Sequence, residues 1–167
     1  MASGAKRRGH LVSTWRTAAR VTSYLAENLP EEVWDLKIPG APRRTVRMIL
    51  GHLHNCRVMW VKTLGERYGV EPPESVDRHR VEADELRPAR AESEAALEAL
   101  LEAALEEGEN LVGFSGGVVD FLAYHAAHEG HHRGQIVMVA RAAGHRLPRE
   151  VTNGLWQWSK RRKEARR

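Results

Sequence analysis

The chain has 167 residues and a formal net charge of +4, with 26 lysines and arginines, 22 acidic residues and nine histidines. This length predicts one domain, residues 1–167, that buries enough apolar surface to fold without disulfides. Its single cysteine, Cys56, excludes an internal disulfide, and no segment resembles a signal peptide or a membrane span. We therefore expect a cytoplasmic protein with no membrane partner.

The positive charge is concentrated at the two ends of the chain. Residues 1–10 contain AKRRGH and residues 160–167 read KRRKEARR, whereas the middle segment AESEAALEALLEAALEEGE is acidic. Charged ends of this kind are typical of solvated, flexible segments. A nucleic-acid partner is therefore not favoured, although clustered lysines and arginines are the groups that contact phosphates.

The first predicted helix ends before Pro30, and its apolar stripe consists of Leu11, Trp15, Ala18, Thr22, Leu25 and Leu29. Residues 30–44, PEEVWDLKIPGAPRR, contain three prolines and a glycine and should form an irregular loop. Within this loop, Trp34 and Ile38 are expected to pack on the core.

Two more helices follow. Thr45 is a suitable N-cap for the second helix, which should run to about Gly69. One face of it combines Met48, Ile49, His52, Cys56, Met59, Trp60 and Thr63. Pro88 is expected to begin the third helix, which should end near Gly108. Its predicted buried stripe is Leu97, Leu100, Leu101, Ala104 and Leu105.

A fourth helix is expected from about Gly117 to Gly144, because this segment lacks proline and ends in glycine. A short fifth helix containing Trp156 and Trp158 should follow it. The sequence contains no internal repeat and no alternating run long enough for a sheet. The pattern predicts an all-α protein, an antiparallel four-helix bundle with a long connection between the first two helices and a short C-terminal helix.

The fourth helix has an unusually polar stripe. With a rotation of about 100° per residue, several side chains lie within about 60° of His128. They are Phe121, Tyr124, His125, His131, His132, Gln135 and Val139. Buried without partners, such imidazoles would cost about 1–3 kcal/mol for each unsatisfied group. A metal ion bound to them would remove this cost.

The predicted ligands are His128, His132 and His52. His128 and His132 are separated by one helical turn and can converge on one ion, while His52 lies within the apolar face of the second helix. His54 is an alternative third ligand, but it points about 200° away from His52. Cys56, one turn from His52, could reach the metal as a thiolate or be a buried, inert side chain. Three histidines leave one coordination position free, as in a catalytic zinc site.

The string HEGHH also matches the zinc-protease motif H-E-x-x-H. The extended motif is not met, because Gln135 stands in place of its glycine and Met138 in place of its third histidine. Glu150 is the only plausible substitute ligand. Glu129 lies about 100° around the helix from His128, and an ion pair with Arg133 is its expected role. The protease hypothesis is therefore not favoured.

The segments ILGHLHNCRVMW and HEGHHRGQI, together with the closing GLWQW, resemble the DinB/YfiT-like superfamily of metal-dependent enzymes over nearly the whole chain. The resemblance implies a four-helix bundle, often dimeric, and a divalent metal, typically zinc or nickel, on His52, His128 and His132. It also implies transferase or isomerase chemistry with a low-molecular-weight thiol such as mycothiol, bacillithiol or glutathione.

The leading hypothesis is thus a metalloenzyme that presents a thiol or water to a small-molecule electrophile. If water is the nucleophile, the reaction is a hydrolysis and needs a base to accept the proton of the water. Tyr124, His125 and His131 are candidates for this base. Otherwise Tyr124, His125, His131 and Gln135 are expected to line the pocket or to orient the ligands. The alternative from another class is a non-catalytic regulatory protein that senses a metal or binds nucleic acid.

Small residues lie on the opposite side of the fourth helix. Ala123, Ala127, Gly130 and Gly134 fall between about 200° and 260° from His128. Each interior glycine costs about 1 kcal/mol relative to alanine, so a structural reason is expected. The pattern predicts that another helix backbone approaches this face, either inside the bundle or from the second subunit of a homodimer.

Overall fold

The computed structural model describes residues 2–165. Met1, Arg166 and Arg167, which belong to the predicted basic ends, lie outside the described residues. Within residues 2–165 the chain forms six α-helices, a short 3-10 helix (Glu31–Val33) and one two-stranded hairpin. In the same range, no helix combines the length and apolarity that crossing a membrane requires. The all-α prediction is confirmed at this level.

The helices are α1 (Ala2–Glu27), α2 (Val46–Tyr68), α3 (Ala83–Glu106), α4 (Val118–Ala142), α5 (Arg149–Gly154) and α6 (Trp158–Glu164). Each of α1 and α2 contacts both α3 and α4. The hydrophobic core consists of two clusters, one around Trp15 and Phe121 and the other around Leu25 and Ile49. The histidines lie where α2 faces α4.

The two basic ends of the chain are helical in the described range. Helix α1 begins at Ala2, and α6 packs against α1. Arg161 is only 1% exposed and its guanidinium lies 3.7 Å from the ring centroid of Tyr24. Part of the C-terminal positive charge is therefore buried against α1 and is not exposed to solvent. Trp158 begins α6, whereas Trp156 lies between α5 and α6 and is exposed.

The connection between α1 and α2 contains a small hairpin that the sequence did not predict. Strand β1 (Lys37–Ile38) pairs with β2 (Ala41–Thr45) in antiparallel register around Gly40, whose φ of 77° favours glycine. A two-residue strand is too short to produce a visible alternation, so no periodic signal was available. The predicted anchors do pack on the core, Trp34 fully and Ile38 partly.

Helix α2 has the predicted ends. The Thr45 hydroxyl accepts a hydrogen bond from the Met48 amide, and Gly69 ends the helix with a φ of 65°. Its buried face is broader than predicted, because α2 contacts α3 as well as α4. Met59 is 47% exposed, whereas residues outside the predicted face are buried, among them Leu50, Leu53, His54 and Arg57.

Helix α3 begins earlier than predicted. It starts at Ala83 rather than at Pro88, because Glu82 and Glu85 form a reciprocal capping box. Pro88 therefore lies inside the helix, where its missing N–H costs one backbone hydrogen bond. The predicted buried stripe is confirmed in full, since Leu97, Leu100, Leu101, Ala104 and Leu105 are all buried.

Candidate metal centre

Three imidazoles converge between α2 and α4. The Nε2 atoms of His52 and His128 are 3.2 Å apart. The ring of His132 lies 4.9 Å from that of His52 and 4.6 Å from that of His128, measured between centroids. Each of the three offers a nitrogen within 4.8 Å of the other two, so the group could hold a metal ion.

Local sequence explains this convergence. His128 and His132 are one turn apart on α4, so their side chains lie on the same face. His52 is near the beginning of α2, and α2 contacts α4 directly. His52 and His128 are partly exposed, whereas His132 is 4% exposed and forms the inner side of the group. The predicted triad is thus assembled from two helices and remains accessible to a small molecule.

The geometry fits a divalent ion. Two nitrogens bound to tetrahedral zinc at the usual bond length are about 3.4 Å apart, close to the His52–His128 separation of 3.2 Å. The Nδ1 atom of His132 lies 2.8 Å from Oε1 of Gln135, to which it donates a hydrogen bond. This bond leaves the Nε2 lone pair of His132 free for a metal and fixes the ring orientation. Gln135 thus contacts one of the three candidate ligands directly.

Burial also keeps these histidines neutral, which is the form that binds metals. It lowers the pKa of His52 and His128 below the ordinary histidine value, and the positive charge of Arg44 acts in the same direction. Burial lowers the pKa of His132 to about 4, against the opposing effect of its hydrogen bond to Gln135. Protons therefore compete weakly for these nitrogens at neutral pH.

The model of the DinB family matches residues 1–163 of this chain. The chain belongs to the DinB family. The resemblance in the α2 and α4 segments is thereby confirmed, and the match extends across all six helices of this DinB protein. Neither the curated proteins nor the solved structures compared with the chain include a match.

His54 of this DinB protein faces away from the three-histidine group, as its helical angle predicted. Its ring nitrogens lie 3.1 Å from the Ser93 hydroxyl and 2.9 Å from the Glu74 carbonyl oxygen. The side chain is fully buried against α3 and the preceding loop. Its two hydrogen bonds satisfy both nitrogens, so its role is structural.

Cys56 and Tyr124 lie beside the metal centre rather than in it. The Cys56 sulfur is 3.7 Å from the Tyr124 hydroxyl, and burial raises the pKa of this thiol. Among residues 2–165, the group of candidate ligands contains three histidines and no sulfur. The thiolate-ligand alternative is therefore not supported. Tyr124 stacks on His128 with ring centroids 5.7 Å apart, which makes it a neighbour of the ligand set.

The two other histidines of the α4 stripe differ from each other. His125 is 1% exposed and lies among aromatic rings, 4.6 Å from Phe121 and 5.5 Å from Trp15 between centroids. It makes no hydrogen bond to the described residues, so it is not the donor that the sequence suggested. His131 is exposed, and its ring lies 5.0 Å from that of His132, so it can border the solvent side of the three-histidine group.

Glu129 has closer partners in addition to the predicted Arg133. Its Oε1 atom accepts hydrogen bonds of 2.8 and 2.6 Å from the Arg57 guanidinium, and its Oε2 accepts one from the Thr22 hydroxyl. The predicted ion pair with Arg133 is also present, at the longer distance of 3.8 Å. Burial alone would raise the pKa of Glu129, but Arg57 and Thr22 hold it below its ordinary value. Committed to this ion pair and 1% exposed, Glu129 is not available as a protease base.

A cavity beside the three-histidine group was not predicted from the sequence. A cavity of about 520 Å³ includes His52 in its lining, together with Ala41, Pro42, Arg43, Arg44, Met48 and Arg78. Three of these residues are arginines from two separate connections, before α2 and before α3. The adjacent Arg43 and Arg44, and Arg78 in the later connection, are visible in the sequence as basic residues. Only the fold shows that these two segments line one cavity.

Proposed function

We propose that this protein is a metal-dependent enzyme in which His52, His128 and His132 hold a divalent ion, zinc or nickel. The observation behind this proposal is the convergence of three neutral imidazoles within 4.8 Å at the edge of a cavity. We further propose that the four long helices form an antiparallel bundle, with the ion between the second and fourth. The cytoplasmic location of the protein remains an expectation from the sequence.

Small-thiol-dependent transfer or isomerisation is the chemistry that we favour. A divalent ion with three histidine ligands lowers the pKa of a bound thiol toward neutrality. A transfer reaction would join the thiol sulfur to an electrophilic carbon, while the thiol proton passes to solvent and the leaving group departs with its electron pair. The protein's contribution is to hold the imidazoles neutral and fixed, through burial and the hydrogen bond from His132 to Gln135.

Hydrolysis is less well supported, because water attack requires a nearby base. His125 is enclosed by aromatic rings and the Tyr124 hydroxyl is directed toward Cys56, which leaves the exposed His131 as the remaining candidate base. Glu129 is bound to Arg57. A nucleic-acid-binding role is also less well supported, since Arg161 of the basic C-terminal segment is buried on Tyr24.

Metal analysis of protein purified without an affinity tag tests the proposal. The wild-type chain should contain about one ion, as expected for a three-ligand site. His52→Ala, His128→Ala and His132→Ala should each lose most of it, and the losses should not add because two ligands retain little of what three hold. A thiol-dependent activity found with a panel of small thiols and electrophiles should disappear in the same variants.

Two control variants separate the possible ligand sets. His54→Ala should keep its metal, because His54 is bound to Ser93 and the Glu74 carbonyl. Cys56→Ser should also keep it. Loss of metal in either control would change the ligand assignment, and absence of stoichiometric metal from the wild-type chain after zinc or nickel addition would refute the enzyme proposal.

A further inference from the structure

The cavity beside His52 is strongly basic. Besides His52, its lining consists of three arginines and three uncharged residues: Arg43, Arg44, Arg78, Ala41, Pro42 and Met48. No carboxylate belongs to this lining among the described residues. Its volume of about 520 Å³ lies within the range of roughly 300–1,000 Å³ that is usual for small-molecule sites. We refer to it as the arginine cavity.

The arginines of the cavity have no protein partners in the described range. Within residues 2–165, no hydrogen bond or ion pair involves the side chain of Arg43, Arg44 or Arg78, whereas their neighbours are neutralised. Arg47 binds Asp35 and Glu82 at 3.0 and 2.7 Å. Arg80 lies 3.9 Å from Asp77. The cavity thus keeps its positive charge available for a ligand.

Glycine at position 51 allows one of these arginines to approach the metal centre. A Cβ atom on Gly51 would lie 2.8 Å from the Cβ and 2.9 Å from the Cα of Arg78, closer than normal packing permits. Only glycine therefore allows the segment before α3 to lie against α2 at this point. Arg78 and His52, which follows Gly51, line the same cavity.

The hairpin fixes the second arginine. Arg44 lies in β2, whose end is held by the pairing of Thr45 with Lys37 and by the Val46 amide, which donates to the Leu36 carbonyl over 3.1 Å. Arg44 and His52 line the same cavity. Arg44 and Arg78 thus reach the cavity beside His52 from two separate connections.

We propose that the arginine cavity binds an anionic group of the substrate, a carboxylate or phosphate, and thereby directs the reacting end of that molecule to the three histidines. This inference rests on the proposed function. Guanidinium groups bind carboxylate and phosphate through paired hydrogen bonds, which fix orientation as well as position. Because the three imidazoles are neutral ligands, a divalent ion would add its full charge to the same region. The substrate class is therefore a small, negatively charged molecule.

Calorimetric binding of two thiols to the zinc-loaded chain tests the proposal. The probes are 6-mercaptohexanoate and 6-mercaptohexanol, which differ only in having a carboxylate or a hydroxyl at the far end. The acid should bind at least about tenfold more tightly, as expected for one charge-assisted pair. The double variant Arg44→Met, Arg78→Met should lose this preference and keep its affinity for the alcohol. The matched control, Arg80→Met, should retain the preference, because Arg80 does not line the cavity.

The possible outcomes distinguish the two proposals. Equal affinities in the wild-type chain, or a preference that survives in the double variant, would overturn the arginine cavity as an anion site while leaving the metalloenzyme intact. If the chain fails to bind zinc or either thiol, the proposed function fails. The anion site is then tested by NMR of the metal-free chain, in which inorganic phosphate should shift the side-chain N–H signals of Arg44 and Arg78 but not of Arg80. Equal shifts in all three would refute the proposal.

Discussion

His125 and His132 lie on the same stripe of α4 and are both buried, but only His132 has a hydrogen-bond partner. Neither nitrogen of His125 has a partner among residues 2–165. Burial lowers the pKa of His125 to about 3 and that of His132 to about 4. The same residue type thus serves as a candidate ligand in one position and as an uncharged packing group in the other, because of what surrounds each ring.

The lowered pKa of His125 predicts that the fold loses stability in acid. A histidine with a lowered folded-state pKa binds more protons when unfolded, so its contribution to stability falls as pH decreases from about 6.5 toward the folded value. Replacing His125→Phe should keep the aromatic packing and remove this proton linkage. We expect the loss of unfolding free energy between neutral pH and pH 4 to become smaller by roughly 2–4 kcal/mol.

Urea denaturation of the metal-free chain across this pH range would measure the effect. His79→Gln is a suitable control, since His79 is exposed, and its pH dependence should match that of the wild-type chain. An unchanged pH dependence in His125→Phe would show that His125 is not the group responsible.

At the scale of elements, a buried ion pair connects three helices. Arg57 on α2 donates to Glu129 on α4 through two nitrogens, and Thr22 on α1 donates to the other carboxylate oxygen. Both charged side chains are 1% exposed. Glu129 follows His128 in sequence, and its ion pair with Arg57 joins the two helices that supply the histidines.

Breaking this pair should destabilise the fold rather than remove a chemical group. Glu129→Ala leaves the Arg57 charge buried without its main partner, and we expect a loss of about 3–5 kcal/mol in unfolding free energy. Glu129→Gln keeps an acceptor oxygen and should lose less. Chemical denaturation measures both values. A chain that is fully stable but inactive after Glu129→Ala would instead indicate a direct role in the reaction.

At the scale of the whole molecule, the outer face of α4 remains uncovered within the described chain. Ala123, Ala127 and Gly134 are exposed, and a Cβ on Gly134 would meet nothing within 4 Å. The close helix contact predicted for this face does not occur inside the described residues, which corrects one of the two alternatives. Val119 and Met138, 44% and 62% exposed, extend the apolar surface. A homodimer through this face remains our proposal.

Gly134→Leu tests the dimer without disturbing the subunit. A leucine here has space in the subunit and improves helix propensity by up to about 1 kcal/mol, so the monomer fold should persist. Sedimentation velocity should reveal a wild-type dimer that dissociates in the variant. Ala99→Leu, on an exposed part of α3, is the control and should leave the dimer intact. A wild-type monomer, or an unchanged dimer in Gly134→Leu, would contradict the proposal.

The sequence by itself determined what depends on local spacing. Helix α4 ends where its glycines indicated, and Thr45 caps α2 as expected. The one-turn separation of His128 and His132 placed both on one face of α4, and the helical angle of His52 made it a better candidate than His54 for the third member of the group. These features follow from 3.6 residues per turn and from capping chemistry, which act within a few residues of the chain.

Tertiary structure alone decided which groups from distant segments meet. Helical periodicity gives the direction of a side chain but not the identity of the element opposite it, so the pairing of Arg57 with Glu129 was not predictable. The arginine cavity required the hairpin and the segment before α3 to approach α2 together, the latter through close contact at Gly51. Such contacts depend on how whole helices pack, because burial and charge pairing are settled only when chain segments far apart in sequence come together.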